Sequence, residues 1–223
     1  MSHKCYYLKA GVIWIATGFC KSAQCFHFCG KTYPYFDHRY NLTRLNERRV
    51  EIPIMMDILK SNSGKNVLEI GNVLSHYNKT LQHQVVDKYE KTTSKRCIQA
   101  DAETCYFGHK YDLILSVSTF EHIGWDETPR DPEKIKRTIL HLRSLLTTDG
   151  ELIFTAPVGY SPPLNRLIDD GDDLVDRLCL KRINAMNEWE ETDWESIRSA
   201  KFHTPYPFAN GLVVARLKPI SAS

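Results

Sequence analysis

The stretch Asn66-Val67-Leu68-Glu69-Ile70-Gly71-Asn72-Val73-Leu74-Ser75-His76-Tyr77 decides the fold. Its apolar run, 67–70, ends in an acid and a glycine, the pattern of a buried strand feeding a tight turn. A glycine there lets the backbone take a positive φ or pass close to a ligand, because no Cβ is present to clash. Many parallel sheets contain such a turn for packing alone, so the runs that follow must decide its meaning.

Downstream, apolar runs recur at 84–87 (QVVD), 96–99, 111–117 (YDLILSV) and 151–156. Between the last two, Ile135, Ile139, Leu142 and Leu146 are spaced by four, three and four, which predicts an amphipathic helix over 132–146. Asp131-Pro132 supplies its cap and first-turn proline, and Asp149-Gly150 follows its end. Strand, helix and strand in alternation predict an α/β fold, a Rossmann-like, doubly wound and mostly parallel sheet. About thirteen residues separate Gly71 from the next run, so any helix in that crossover is short. Past Pro162-Pro163, residues 164–178 are expected to be partly helical, 179–186 a strand, and 211–217 (GLVVARL) the last strand. Upstream, Val50, Ile54 and Ile58 recur every four residues, with Met55 and Leu59 beside them, marking one helical face. Pro53 is expected to break that helix in two.

At 223 residues the chain can bury one sizeable core. A formal charge of +2 gives no electrostatic case for nucleic acid. No apolar run reaches the roughly 18 residues that would span a bilayer. The run 10–20, AGVIWIATGFC, has the length of a signal-peptide core, but Ser22-Ala23-Gln24-Cys25 makes a poor cleavage site. It is read as a strand or short helix.

Seven cysteines cannot all pair internally, and Cys97, Cys105 and Cys179 are scattered, which points to a reducing, cytoplasmic setting. Four of the seven fall in the aromatic-rich segment 1–36, at 5, 20, 25 and 29. Cys20, Cys25, His27 and Cys29 are the ligand types zinc takes. They lack paired C-x-x-C hooks and crowd into ten residues, so they are read as packing residues and no metal is expected.

Ligands of open parallel sheets sit beyond the carboxyl ends of the strands. Here those ends carry Glu69, Asp87, Asp101 and the 116–118 serines. Asp87 follows Glu69 by eighteen positions and suits a ribose diol, whose two hydroxyls one carboxylate can accept. A dinucleotide is disfavoured, because 71–76 keeps only the first glycine of G-x-G-x-x-G.

On these residues the chain resembles the class I S-adenosylmethionine-dependent methyltransferases over 66–157. VLEIG, VVD, Ala100-Asp101, YDLILSVSTFEHIGW and GELIFTAP match that family's successive strand motifs. EIGNVLSHY, VVDKYEK, STFEHIGWDE and PVGY, preceded by Tyr40-Asn41, Asn46-Glu47-Arg48 and Glu51-Ile52-Pro53, resemble a microbial subgroup of small methyltransferases. The resemblance implies a seven-stranded sheet with an antiparallel last strand and S-adenosylmethionine as cofactor, with 37–223 as the transfer domain and 1–36 as an extension. It implies that Glu69, Gly71 and Asn72 shape the methionine end, Asp87 binds the ribose, Asp101 and Ala102 flank the adenine, and Ser116 and Ser118 line the sulfonium end. Val73 and Ser75 stand where family members often keep two further glycines.

Methyl transfer is an in-line displacement governed by positioning, with a base needed only when the acceptor holds a proton. Glu121 and His122 are the candidate catalytic pair, imidazole being suited to work near neutral pH. Ser118 replaces the first acid of the metal-binding E-x-x-E-H pattern, which disfavours metal. The N-P-P-[YF] motif of amide and base N-methylators is absent. Tyr160 and Asn165 are placed beside the acceptor, with Trp125, Asp126 and Glu127 as a further wall; the acceptor is expected to be a small molecule or glycan methylated at oxygen. The competing reading is a non-catalytic scaffold on the same fold with a decayed cofactor pocket. The sequence leaves the oligomeric state open.

Overall fold

A computed structural model describes residues 23–91, 94–171 and 174–220 of the chain. Cys5, Cys20 and the whole apolar run 10–20 lie outside them. The described residues hold ten strands: β1 (Cys25–Phe28), β2 (Lys31–Pro34), β3 (Val67–Ile70), β4 (Gln84–Asp87), β5 (Cys97–Gln99), β6 (Tyr111–Val117), β7 (Leu146–Pro157), β8 (Leu174–Arg182), β9 (Trp189–Thr192) and β10 (Gly211–Leu217). Eight of them form one sheet in the order β5-β4-β3-β6-β7-β10-β8-β9, one strand more than the seven expected. The pairs β5–β4, β4–β3, β3–β6 and β6–β7 are parallel, and the extra edge strand β9 pairs antiparallel with β8.

The chain divides into two compact units. One comprises the described residues up to Asp57 together with Pro157–Tyr160 and Leu178–Val213; the other comprises Ile58–Ala156, Ser161–Arg177 and the described residues from Val214.

In the second unit, all four residues of β3 are buried, the apolar Val67, Leu68 and Ile70 and with them Glu69. Leu68 and Ile70 pair with Ile114 and Ser116 of β6 on one side and with Gln84 and Val86 of β4 on the other. Between β3 and β4 stands only a 3-10 turn, Leu74–His76. The helix following β6, α2 (Lys134–Ser144), starts two residues later than the Asp131-Pro132 signal suggests. Asp131 instead accepts the Glu133 N–H on its side chain and the Lys134 N–H on its carbonyl, holding a turn ahead of the helix. After β7, helix α3 (Pro162–Asp170) is the partial helix expected in 164–178, and β8 begins at Leu174, ahead of the expected 179. The ladder with β9, from Cys179–Thr192 to Arg182–Trp189, gives this segment a strand partner that a local reading cannot supply.

In the first unit, β1 and β2 form an antiparallel hairpin. Cys25 and Cys29 are exposed there, and His27 Nδ1 lies 2.9 Å from Thr32 Oγ1. Helix α1 (Arg48–Ser61) runs through Pro53 without a break, contrary to expectation. Proline cannot donate to the carbonyl four residues back, which is that of Arg49. The Phe36 N–H bonds that carbonyl at 3.0 Å, so the acceptor the proline abandons is satisfied by another segment. Val50, Ile54 and Met55 bury the predicted apolar face. None of the helices among the described residues is long and apolar enough to cross a membrane.

Candidate functional site

The carboxyl ends of β3, β4, β5 and β6 surround a cavity of about 580 Å3 that lies wholly within the second unit. Ile70, Val86, Ala102 and Ile123 give it apolar walls, and Asp87, Asp101, His122 and Asp126 bring polar groups into it.

Gly71 forms one lip. Its φ is +81°, and a Cβ built on it would lie 2.3 Å from Thr119 Oγ1 and 2.8 Å from Thr119 Cγ2. Both the turn and the close approach of Thr119, in the loop after β6, therefore demand glycine. Glu69 holds the same turn from behind. Fully buried, it accepts the Val73 and Leu74 N–H groups on Oε1 at 2.9 and 2.8 Å, while Oε2 is 2.7 Å from His83 Nε2. A carboxylate caps here what extra glycines would otherwise shape.

Asp87 accepts the N–H groups of Tyr89 and Glu90 on Oδ1 and that of Asn72 on Oδ2. With about four lone-pair directions on a carboxylate, this leaves a free one on Oδ2. Asn72 is fixed by this bond and by a side-chain hydrogen bond with Ser75.

The far wall is a ring of four charges. Lys134 Nζ donates to Asp101 Oδ2 at 2.6 Å and to both oxygens of Glu127 at 2.8 and 3.0 Å. Lys88 Nζ lies 2.7 Å from Glu127 Oε2 and 3.0 Å from Asp101 Oδ2. Burial alone would raise the Asp101 carboxyl, but hydrogen bonds from Lys134, the Glu103 N–H and Lys88 outweigh it and bring it down to about 2. Glu127 is likewise lowered, burial being overcome by the bonds from Lys134 and Lys88. Lys88 is raised, because its two carboxylate partners outweigh the cost of burial.

At the mouth, His122 Nδ1 is 2.6 Å from Asp126 Oδ2. A carboxylate only accepts, so Nδ1 carries the hydrogen of that bond. Glu121 lies in the interior at 2% exposure, its Oε1 3.8 Å from His122 Nε2, beyond hydrogen-bond reach.

The structure thus brings Gly71, Asp87, Asp101, Ala102 and His122 to one cavity and leaves other expected residues outside its lining. Ser116 is fully buried in β6, and Ser118 is buried with its N–H on the Thr155 carbonyl and hydroxyl; Thr119 lines the cavity instead. Trp125 lies under the Arg130 guanidinium, 4.0 Å from the ring centre. Tyr160 belongs to the first unit, where it meets Phe202 edge-on at 4.9 Å. Asn165 sits half-buried in α3, its N–H on the Ser161 carbonyl. Among the described residues, no group of three or more His, Cys, Asp or Glu is arranged to hold a metal ion.

Asp126 is expected from the sequence only as part of a wall with Trp125 and Glu127; its place beside His122 is new. Two polar participants escaped the sequence reading. Lys88 follows a strand-end acid directly. Lys134 offered a subtler sign, a cation in the first turn of a helix, where the macrodipole disfavours it.

No family model matches the chain, and no curated protein matches it. Solved structures are similar at low identity. The N-methyltransferase NodS from Bradyrhizobium japonicum is 14% identical, with a TM-score of 0.48 over 78% of this chain and 97% of that one. A possible histamine N-methyltransferase from Thermotoga maritima is 14% identical, with a TM-score of 0.46 over 74% of this chain and 86% of that one. The sugar N-methyltransferase KedS8 from a Streptoalloteichus species is 13% identical, with a TM-score of 0.41 over 83% and 94%. At this level the likeness adds nothing to what the residues themselves show.

Proposed function

We propose that the chain transfers a methyl group from S-adenosylmethionine to the oxygen of a small-molecule or glycan-type acceptor. In this reading residues 37–223 form the transfer domain and 1–36 an extension to it, acting in the cytoplasm. The observation that supports it is the cavity itself: about 580 Å3 at the carboxyl edge of a parallel sheet, with a glycine lip and two strand-end carboxylates. Its size is that of a ligand pocket, and its mix of apolar walls and a few placed polar groups suits a nucleoside. The cavity also fits a cation, because carboxylates outnumber ammonium groups along its walls.

When bound, S-adenosylmethionine supplies an electrophilic methyl group on a positively charged sulfur. The chain supplies position. Gly71 lets the backbone approach without a Cβ, Glu69 and Asn72 hold that turn, and Asp87 Oδ2 takes a ribose hydroxyl. Asp101 and Ala102 stand at the base end. His122 acts as the base toward the acceptor's hydroxyl proton, and Asp126 orients the ring through its bond to Nδ1. Glu121 supports the turn from inside.

Isothermal titration of the full chain with S-adenosylmethionine tests this reading. Binding that is lost in Asp87→Ala supports it, as does demethylated cofactor formed with a panel of hydroxyl compounds in wild type and not in His122→Gln. A wild type that binds no cofactor would leave the chain as a scaffold on this fold.

A further inference from the structure

Building on that reading, we infer that His83 is a positioning residue for the cofactor: acting through Glu69, it holds the turn 71–74 in the shape that meets the methionine end. His83 stands just before β4 and lies outside every motif quoted above. It is also absent from the cavity lining, so it acts without touching a ligand there.

Every N–H of that turn is spent on the chain itself. Gly71 donates to the Val86 carbonyl at 2.8 Å and Asn72 to Asp87 Oδ2 at 3.0 Å. Val73 and Leu74 donate to Glu69 Oε1 at 2.9 and 2.8 Å. Two carboxylates therefore shape a turn that has a glycine only at 71. Asp87 is secured locally, by the Tyr89 and Glu90 N–H groups on its other oxygen. Glu69 depends on a residue from the approach to the next strand.

Glu69 is fully buried, so both its oxygens need partners within the protein. Oε1 takes the two turn N–H groups. Oε2 has one donor among the described residues, His83 Nε2 at 2.7 Å, and that side chain is only 6% exposed. A carboxylate only accepts, so Nε2 carries the hydrogen of that bond. The terminal torsion of a glutamate is broad, and what pins it here is a donor on each oxygen. With Oε2 bare, the group turns toward another partner and Oε1 leaves the Val73 and Leu74 N–H groups. The lip at Gly71 then loses its fixed place, and a binding site tolerates displacements of only about 0.5 Å.

The test is titration calorimetry of the full chain with S-adenosylhomocysteine, beside urea melts of each variant. His83→Leu fills similar space and removes the donor; it is expected to weaken binding by about tenfold or more, the worth of one hydrogen bond to a charged group. His83→Gln can set an amide N–H where Nε2 stood, and should return affinity to within about threefold of wild type. If His83→Leu does not fold, His83→Asn, whose shorter amide falls short of Oε2, takes its place. A purely structural role would lower the urea midpoint and leave the affinity of the folded protein intact. Wild-type affinity in folded His83→Leu or His83→Asn, or a loss in His83→Gln as large as theirs, overturns the inference while the cofactor reading stands. A wild type that binds no S-adenosylhomocysteine overturns both.

Discussion

Glu69 and His83 face each other at 2.7 Å with almost no access to solvent, one at the tip of β3 and the other just before β4. The same carboxylate caps the Val73 and Leu74 N–H groups, so one side chain fixes both the exit of β3 and the entry to β4. Removing it strands three donors, the Val73 and Leu74 N–H groups and His83 Nε2, away from most solvent. Glu69→Ala is expected to cost about 3–5 kcal/mol in urea denaturation, the range for a broken buried pair. Glu69→Gln keeps an acceptor for the turn and should cost roughly 1–2 kcal/mol. Equal losses for the two would show that the carboxylate is not the turn's organiser.

Gly71 carries two separate constraints, and they can be pulled apart. Gly71→Ala pays for a left-handed φ, about 1–2 kcal/mol, and for overlap with Thr119, about 1–3 kcal/mol more. In the double variant Gly71→Ala/Thr119→Ala the overlap is relieved and only the backbone cost should persist. If the double variant is no more stable than the single, Thr119 does not set the limit.

Acid should loosen the charge ring in a defined window. Asp101 titrates at about 2 in the folded chain, and Glu127 is lowered as well, whereas unfolded carboxyls titrate near pH 4. The unfolded chain thus binds more protons through this range. The stabilisation is complete above about pH 5 and declines as pH falls toward 2. Lys134→Met should lower the urea midpoint at pH 6 and flatten its decline between pH 5 and 3. Parallel wild-type and variant curves would count against the ring as the source.

Pro53 offers a prediction against habit. A proline inside a helix ordinarily costs about 3 kcal/mol, so replacing it by alanine should stabilise by that much. Here Phe36 already satisfies the Arg49 carbonyl, so a new N–H at position 53 would gain only a second bond to an oxygen that is no longer orphaned. Pro53→Ala is expected to change stability by less than about 1 kcal/mol. A gain near 3 kcal/mol in thermal or urea melts would rule this account out.

The order of strands β3 to β7 and the cavity's place at their carboxyl ends could be read along the chain. A strand buried on both faces must be apolar at successive positions, as in 67–70 and 111–117, and that signal is complete within a few residues. Gly71, Asp87 and Asp101 were legible for the same reason, since each ends a run that announces itself. What tertiary structure alone decided is who neutralises whom. Lys134 meets Asp101 across 33 residues, and Phe36 rescues a helix carbonyl that local rules declare lost. Periodicity records which face of an element is buried, but the partner of a buried charge or an orphaned carbonyl depends on which segments the sheet brings together.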